Sequence, residues 1–203
     1  MPANQTRAKP MSPDDRRRAI VEAVIPLILD RGTGVTSREM AEAAGVAEGT
    51  IFSVFPDKGA ILTETVKFSL DPCPVEQALA DIPQSDPMEK QLESAVRILA
   101  ERNHRFGSLM GVLRAMHTGD HAHAKDVRAF VVTSNDKILA ALTELLRRNT
   151  DRLRTDPGKA AVTLRGFVFA NAHPMMTTPD ALSADQIVDM LMFGIADETA
   201  DDR

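Results

Sequence analysis

One cysteine in 203 residues, Cys73, leaves no partner for an intramolecular disulfide and no cysteine cluster for a metal. A disulfide-stapled miniature is excluded, and a reducing, cytoplasmic setting is expected. Long apolar runs are also missing. No stretch reaches the roughly 18 apolar residues needed to cross a bilayer, and the start, MPANQTRAKPMSPDDRRR, lacks the apolar core of a signal peptide. Sustained apolar/polar alternation and two-residue hairpin signals are absent, so strands are not expected. No serine, cysteine or carboxylate pair sits in a recognisable catalytic motif, and no cofactor is implied.

Hydrophobic residues at 43% and charged residues at 26% are those of an ordinary soluble chain long enough for one large or two small domains. The net charge of -5 is unevenly spread: residues 1–70 balance nine basic against nine acidic side chains, so all of the excess lies in residues 71–203. Basic side chains gather early, at Arg7, Lys9, Arg16, Arg17 and Arg18. Helix starts are legible at Ser12-Pro13, Thr36 with Glu39, Asp86-Pro87, Asp156-Pro157 and Ser183 with Gln186. The expected fold class is all-α, about nine helices. Pro26 predicts a kink in the first. Later helices are expected over Pro87–His104, Phe106–His117, Ala124–Asn149, Pro157–His173 and Ser183–Asp197, after a proline-rich break, DPCPVEQALADIPQSDP.

The segment VTSREMAEAAGVAEGTIFSVFPDKGAIL, residues 35–62, carries the most specific signal. Thr36 caps a short helix with Met40, Ala41 and Ala44 inward, and Gly45 permits the left-handed backbone that ends it. A second helix follows at once, with Val46, Ile51, Val54 and Phe55 inward and Glu48, Gly49, Thr50, Phe52 and Ser53 outward. Two helices joined so tightly form a helix-turn-helix, whose second member can enter a DNA major groove. From Arg16 to Leu62, with Arg31-Gly32, Thr36–Ala41, Gly45-Val46, Gly49-Thr50-Ile51-Phe52 and Phe55-Pro56-Asp57-Lys58, the chain resembles the tetracycline-repressor (TetR) family of bacterial transcriptional regulators.

That resemblance implies an N-terminal three-helix DNA-binding domain at residues 1–70 and a helical-bundle ligand-binding and dimerisation domain at 71–203. It implies that Thr36, Ser37, Arg38, Thr50, Phe52 and Lys58 lie near phosphates, while Ala47, Glu48, Gly49 and Ser53 approach base edges. Asp57 reads better as the cap of the following helix. Three positions depart from the family pattern: Phe52 replaces a usual tyrosine, Ala47 a frequent capping serine, and Glu48 brings an acid to the groove. The basic arm from Arg7 to Arg18 is expected to compensate.

The last two helices, with AAVTLRGFVFANA and IVDMLMFGIA, are apolar around most of their circumference, which points to a homodimer through this pair and hence to a palindromic double-stranded operator. The resemblance implies a small-molecule effector, largely hydrophobic, with Leu109, Met110, Leu113, Met116, His117, Phe130 and Phe169 as lining candidates. Asn135, Arg165, Asn171 and His173 are polar groups on otherwise apolar helices that could orient a ligand or face solvent. The reading is a homodimeric repressor, not an enzyme and not membrane-bound; the alternatives are an all-α interaction protein with a degenerate helix-turn-helix, or a metal-binding one. HTGDHAHAKD offers His117, Asp120, His121 and His123, but spacing alone favours a solvated helix-end loop over a metal site. Calorimetric titration with zinc and nickel is expected to give no micromolar binding; binding at that level would establish the metal reading.

Overall fold

Most helices begin where the chain supplies an acceptor for the first free N–H groups. The computed structural model describes residues 12–119, 121–172 and 181–194, with nine α-helices and no strand among them. Ser12 Oγ accepts from the Asp15 N–H at 3.1 Å and opens α1 (Pro13–Arg31). At α2 (Ser37–Ala43), Thr36 Oγ1 accepts from the Glu39 N–H at 3.3 Å while Glu39 Oε2 accepts from the Thr36 N–H at 2.8 Å. Ala47, ahead of α3 (Glu48–Val54), has no such group to offer. Asp57 Oδ1 accepts from the Ala60 N–H at 2.7 Å and caps α4 (Lys58–Ser69), the role expected of it.

Four more helices follow α5 (Cys73–Ala80): α6 (Met88–Gly119), α7 (His121–Arg147), α8 (Pro157–Ala172) and α9 (Ala184–Phe193). Asp156 Oδ1 takes the Gly158 and Lys159 N–H groups at the start of α8, and Gln186 Oε1 takes the Ser183 N–H at the start of α9.

Three expectations are corrected. The proline-rich break contains a helix, α5, because Pro72 and Pro74 fall where a missing N–H is tolerated and Asp71 Oδ1 accepts from the Cys73 N–H at 3.0 Å. The two helices expected over Pro87–His104 and Phe106–His117 are one, α6. No breaker separates them, and the pairs Glu93–Arg97 at 3.0 Å and Glu101–Arg105 at 3.3 Å link successive turns. The expected loop around HTGDHAHAKD is mostly helical, with α6 ending at Gly119 and α7 starting at His121. Elsewhere α1 runs through Pro26, and the expected ends of α8 at His173 and α9 at Asp197 lie outside the described residues.

By contacts the chain divides at Ser69/Leu70 into two units, and the hairpin segment Gly111–Val127 belongs with the first. Within that first unit Lys67 Nζ meets Asp126 Oδ2 at 2.7 Å and His123 Nε2 meets Asp57 Oδ1 at 3.3 Å. Its core brings Ile20, Val24 and Ile28 of α1 together with Met40, Ile51, Phe55, Ile61 and Val66. The second unit buries Val75, Leu79, Leu92, Val96, Leu99, Ile138, Leu142, Leu145, Leu164, Val168 and Ile187 in one continuous cluster.

The α2 box makes a pH prediction. Hydrogen bonds from the Thr36 backbone and side chain, then from Arg31, hold the Glu39 carboxyl down at about 2 from an ordinary 4.5. A depressed carboxylate contributes stability that is complete above its unfolded pKa and lost as pH falls through the folded one, here between about 4.5 and about 2. Glu39→Gln keeps an oxygen for the cap but cannot titrate. Its thermal midpoint should therefore fall less steeply than wild type across that window; parallel curves would remove Glu39 from the acid response.

Candidate nucleic-acid interface and effector cavity

The turn between α2 and α3 is fixed by backbone geometry. Gly45 takes φ +66°, its N–H reaches the Glu42 carbonyl at 3.1 Å, and the Val46 N–H reaches the Ala41 carbonyl at 3.0 Å. These are the paired bonds of a Schellman closure, and a side chain would strain the backbone at that glycine. From this turn α3 sends Ile51 into the core, followed by Phe55, both about 1% exposed or less. Arg17 of α1 completes the seat: its Nη2 donates to the Val54 carbonyl at 2.8 Å, and its guanidinium lies 4.7 Å from the Phe55 ring centroid. Arg17 thus holds the C-terminal end of α3, which corrects its assignment to the basic arm. Arg7 and Lys9 of that arm lie outside the described residues.

The opposite side of α3 is open. Ala47, Glu48, Gly49, Phe52 and Ser53 are exposed and Thr50 half-buried, with Phe52 at 51%. On α2 Arg38 is exposed and paired with Glu42 at 3.1 Å, a contact so accessible that a phosphate can displace it. Ser37 is half-buried. Some predicted contacts are already engaged. The Thr36 hydroxyl sits inside the capping box, Ser53 Oγ donates to the Thr50 carbonyl at 2.7 Å, and Lys58 Nζ donates to the Thr33 carbonyl at 2.6 Å. Lys58 keeps two further N–H groups. All ten residues lie in or beside α2, α3 and the start of α4.

The second unit contains a cavity of about 280 Å³ between α6, α7 and α8. Arg102, Asn103 and Phe106 line it from α6, Asn135 from α7, and Arg165, Gly166 and Phe169 from α8. Of the seven expected effector residues only Phe169 is at this wall. Leu109 and Met116 are buried, Met110 is exposed, Leu113 and Phe130 are half-buried, and the His117 side chain lies outside the described residues. Asn135 and Arg165, noted for polarity on apolar helices, do line it. Asn171 does not, since its amide clasps the Leu182 backbone through Nδ2 to the carbonyl at 3.0 Å and Oδ1 to the N–H at 2.9 Å. His173 lies outside the described residues. Arg102 was missed, although the signal was present: it falls three residues after Leu99 on the stripe Leu92, Ala95, Val96 and Leu99, where a charge is out of place.

A tight helix-turn-helix whose second helix has an uncovered side is the arrangement in which a helix can enter a DNA major groove. Residues 20–65 match the family model described as bacterial regulatory proteins, tetR family. No curated protein matches the chain. Among solved structures, one from Mesorhizobium loti assigned to the TetR family aligns at 20% identity and TM-score 0.73, covering 90% of this chain and 98% of its own. The Bacillus subtilis regulator FadR, in complex with stearoyl-CoA, aligns at 18% and 0.62, covering 88% and 99%. AibR, in complex with isovaleryl coenzyme A and operator DNA, aligns at 24% and 0.54, covering 88% and 98%. Residues 20–65 are thus similar to the DNA-binding domain of that family, and the chain as a whole has the fold of those solved TetR-family regulators.

Gly49 separates folding from recognition. A Cβ built there meets nothing within 4 Å, so Gly49→Ala should stabilise the free protein by about 0.5–1 kcal/mol through backbone entropy. Where Gly49 approaches a base edge, as the resemblance implies, the added methyl would stand in the way of a contact worth about 1–3 kcal/mol. Operator affinity should fall roughly tenfold or more, measured by mobility shift beside a thermal melt; unchanged affinity would take Gly49 out of the interface.

Proposed function

We propose that this chain is a cytoplasmic, homodimeric repressor that places two α3 helices in successive major grooves of a palindromic operator and is released by a small effector with a largely apolar body. The observation that carries this reading is the uncovered outer side of α3, with Phe52 51% exposed on a helix whose Ile51 is fully buried. An aromatic ring beside half-exposed Thr50 and exposed Arg38 supplies surface and donors for a sugar-phosphate backbone. Ten residues support the interface: Thr36, Ser37, Arg38, Ala47, Glu48, Gly49, Thr50, Phe52, Ser53 and Lys58.

Dimerisation is supported by apolar side chains without cover on the last two helices. Val162 of α8 is 52% exposed and Phe193 of α9 is 64% exposed. Burying such a face against a second copy is the simplest way for it to leave water, and a two-fold pair matches a two-fold operator. Effector response is supported by helix continuity. Both α6 and α7 carry residues of the second unit and also of the Gly111–Val127 segment. That segment reaches Asp57, the cap of α4, through His123. A shift of either helix on ligand binding would bear on the start of α4 and, through it, on the helix-turn-helix. The acyl-CoA complexes of FadR and AibR support a small-molecule effector with an apolar part.

The test is a mobility shift with DNA upstream of the protein's own gene at several salt concentrations, with Phe193→Glu and Val162→Glu combined as the interface variant. Wild type should sediment as a dimer and bind with a steep inverse salt dependence. The variant should sediment as a monomer and bind roughly 100-fold more weakly, since paired half-sites add avidity of that order. A monomeric wild type would overturn the dimer, and binding indifferent to sequence would overturn the operator.

A further inference from the structure

Arg102 is the one charged residue in the buried set of the described residues, at 8% exposure. Of its five N–H groups, one has a protein acceptor: Nη1 donates to the Leu70 carbonyl at 3.0 Å, an oxygen that also accepts from Ser134 Oγ at 3.1 Å. It forms no ion pair among the described residues. Burial lowers its pKa, Arg105 repels it, and Asp71 offers only a weaker attraction without reaching it. A buried cation left so under-compensated is costly unless something else supplies the counter-charge.

One neighbour shares this deficit, and a second adds charge. Asn103 Nδ2 is buried with no acceptor. Arg165, from α8, gives Nη1 to the Asn135 backbone carbonyl at 3.2 Å and likewise lacks an ion pair among the described residues. All three line the cavity of about 280 Å³, no acidic residue among the described residues lines it, and Phe106 and Phe169 supply its apolar surface. These donors lie in the two thirds of the sequence, residues 71–203, that carries the whole negative excess.

We propose that the cavity binds a small carboxylate with an aromatic or compact apolar body, its oxyanion received by Arg102 and Asn103 with Arg165 opposite, and its body packed between Phe106 and Phe169. A planar guanidinium receives a carboxylate through two parallel N–H bonds. The volume is at the lower limit of small-molecule sites, which suits a single-ring acid better than a whole coenzyme A thioester. The proposal names the effector class and so rests on the regulator reading above.

The experiment is calorimetric titration of the full chain, without DNA, using 3-phenylpropanoate, its alcohol 3-phenylpropan-1-ol, phenyl phosphate and octanoyl-CoA. The acid should bind at least tenfold more tightly than the alcohol, and Arg102→Met should abolish that difference. Gly166→Leu, at a glycine whose Cβ direction is open, should weaken both probes by filling the cavity. Tighter binding of phenyl phosphate than of the acid would retain the oxyanion site but assign it to a phosphoester. Equal binding of acid and alcohol, no binding of either anion, or octanoyl-CoA binding unaffected by Arg102→Met would overturn it. A ligand-free readout guards against misfolding: the thermal midpoint of Arg102→Met should stay within about 2 °C of wild type or rise, whereas a fall beyond about 8 °C marks Arg102 as structural. Mobility shifts run in parallel keep the two readings apart. Acid binding without operator binding would sink the regulator and leave the site; the reverse would sink the site alone.

Discussion

A seven-residue helix has no stability of its own, so the position of α3 is set entirely by what it leans on. That support is the burial of Ile51 and Phe55 against α1 and its neighbours, with the Arg17 guanidinium stacked on the Phe55 ring and hydrogen-bonded to the Val54 carbonyl. One arginine therefore terminates the recognition helix and covers its main anchor. The exposed side of α3 is presented in a fixed direction because the buried side admits only one seat. Under the proposed reading, specificity for a DNA sequence would depend on this constraint before any base is touched.

The same economy explains what could be read from the sequence. Thr36 with Glu39, Gly45 and Asp57 act through bonds three or four residues long, and local chemistry of that range is visible in a linear string. Ile51 and Phe55 follow from helical period. Arg17 does not: its partner is 37 residues away, and a basic residue beside Arg16 and Arg18 looks like part of a phosphate-seeking patch. The α5 helix was hidden because prolines were read as breakers when they sit at its first turn, where they are tolerated. The division of α6 failed for the opposite reason, since a polar stretch around His104 carries no breaker at all.

The effector side was less legible, because a cavity is made of the sides of several helices at once. A methionine-bearing stripe, Leu109 to Met116, attracted attention for its chemistry, yet Leu109 and Met116 prove to be packed core. The useful mark was a charge interrupting an apolar stripe, at Arg102. Polarity on apolar helices singled out Asn135 and Arg165, which line the cavity, and also Asn171, which instead clasps the backbone ahead of α9. Only the fold distinguishes these cases.

The unbroken run of α6 through 32 residues has an evolutionary corollary. One residue inserted between Phe106 and Gly111 would advance everything beyond it by about 1.5 Å and rotate it by about 100°. Val112 and Met116 would leave their buried places, which the smaller Gly111 and Ala115 would take and underfill. Descendants of this chain are free to exchange side chains along that rod, but they inherit its length.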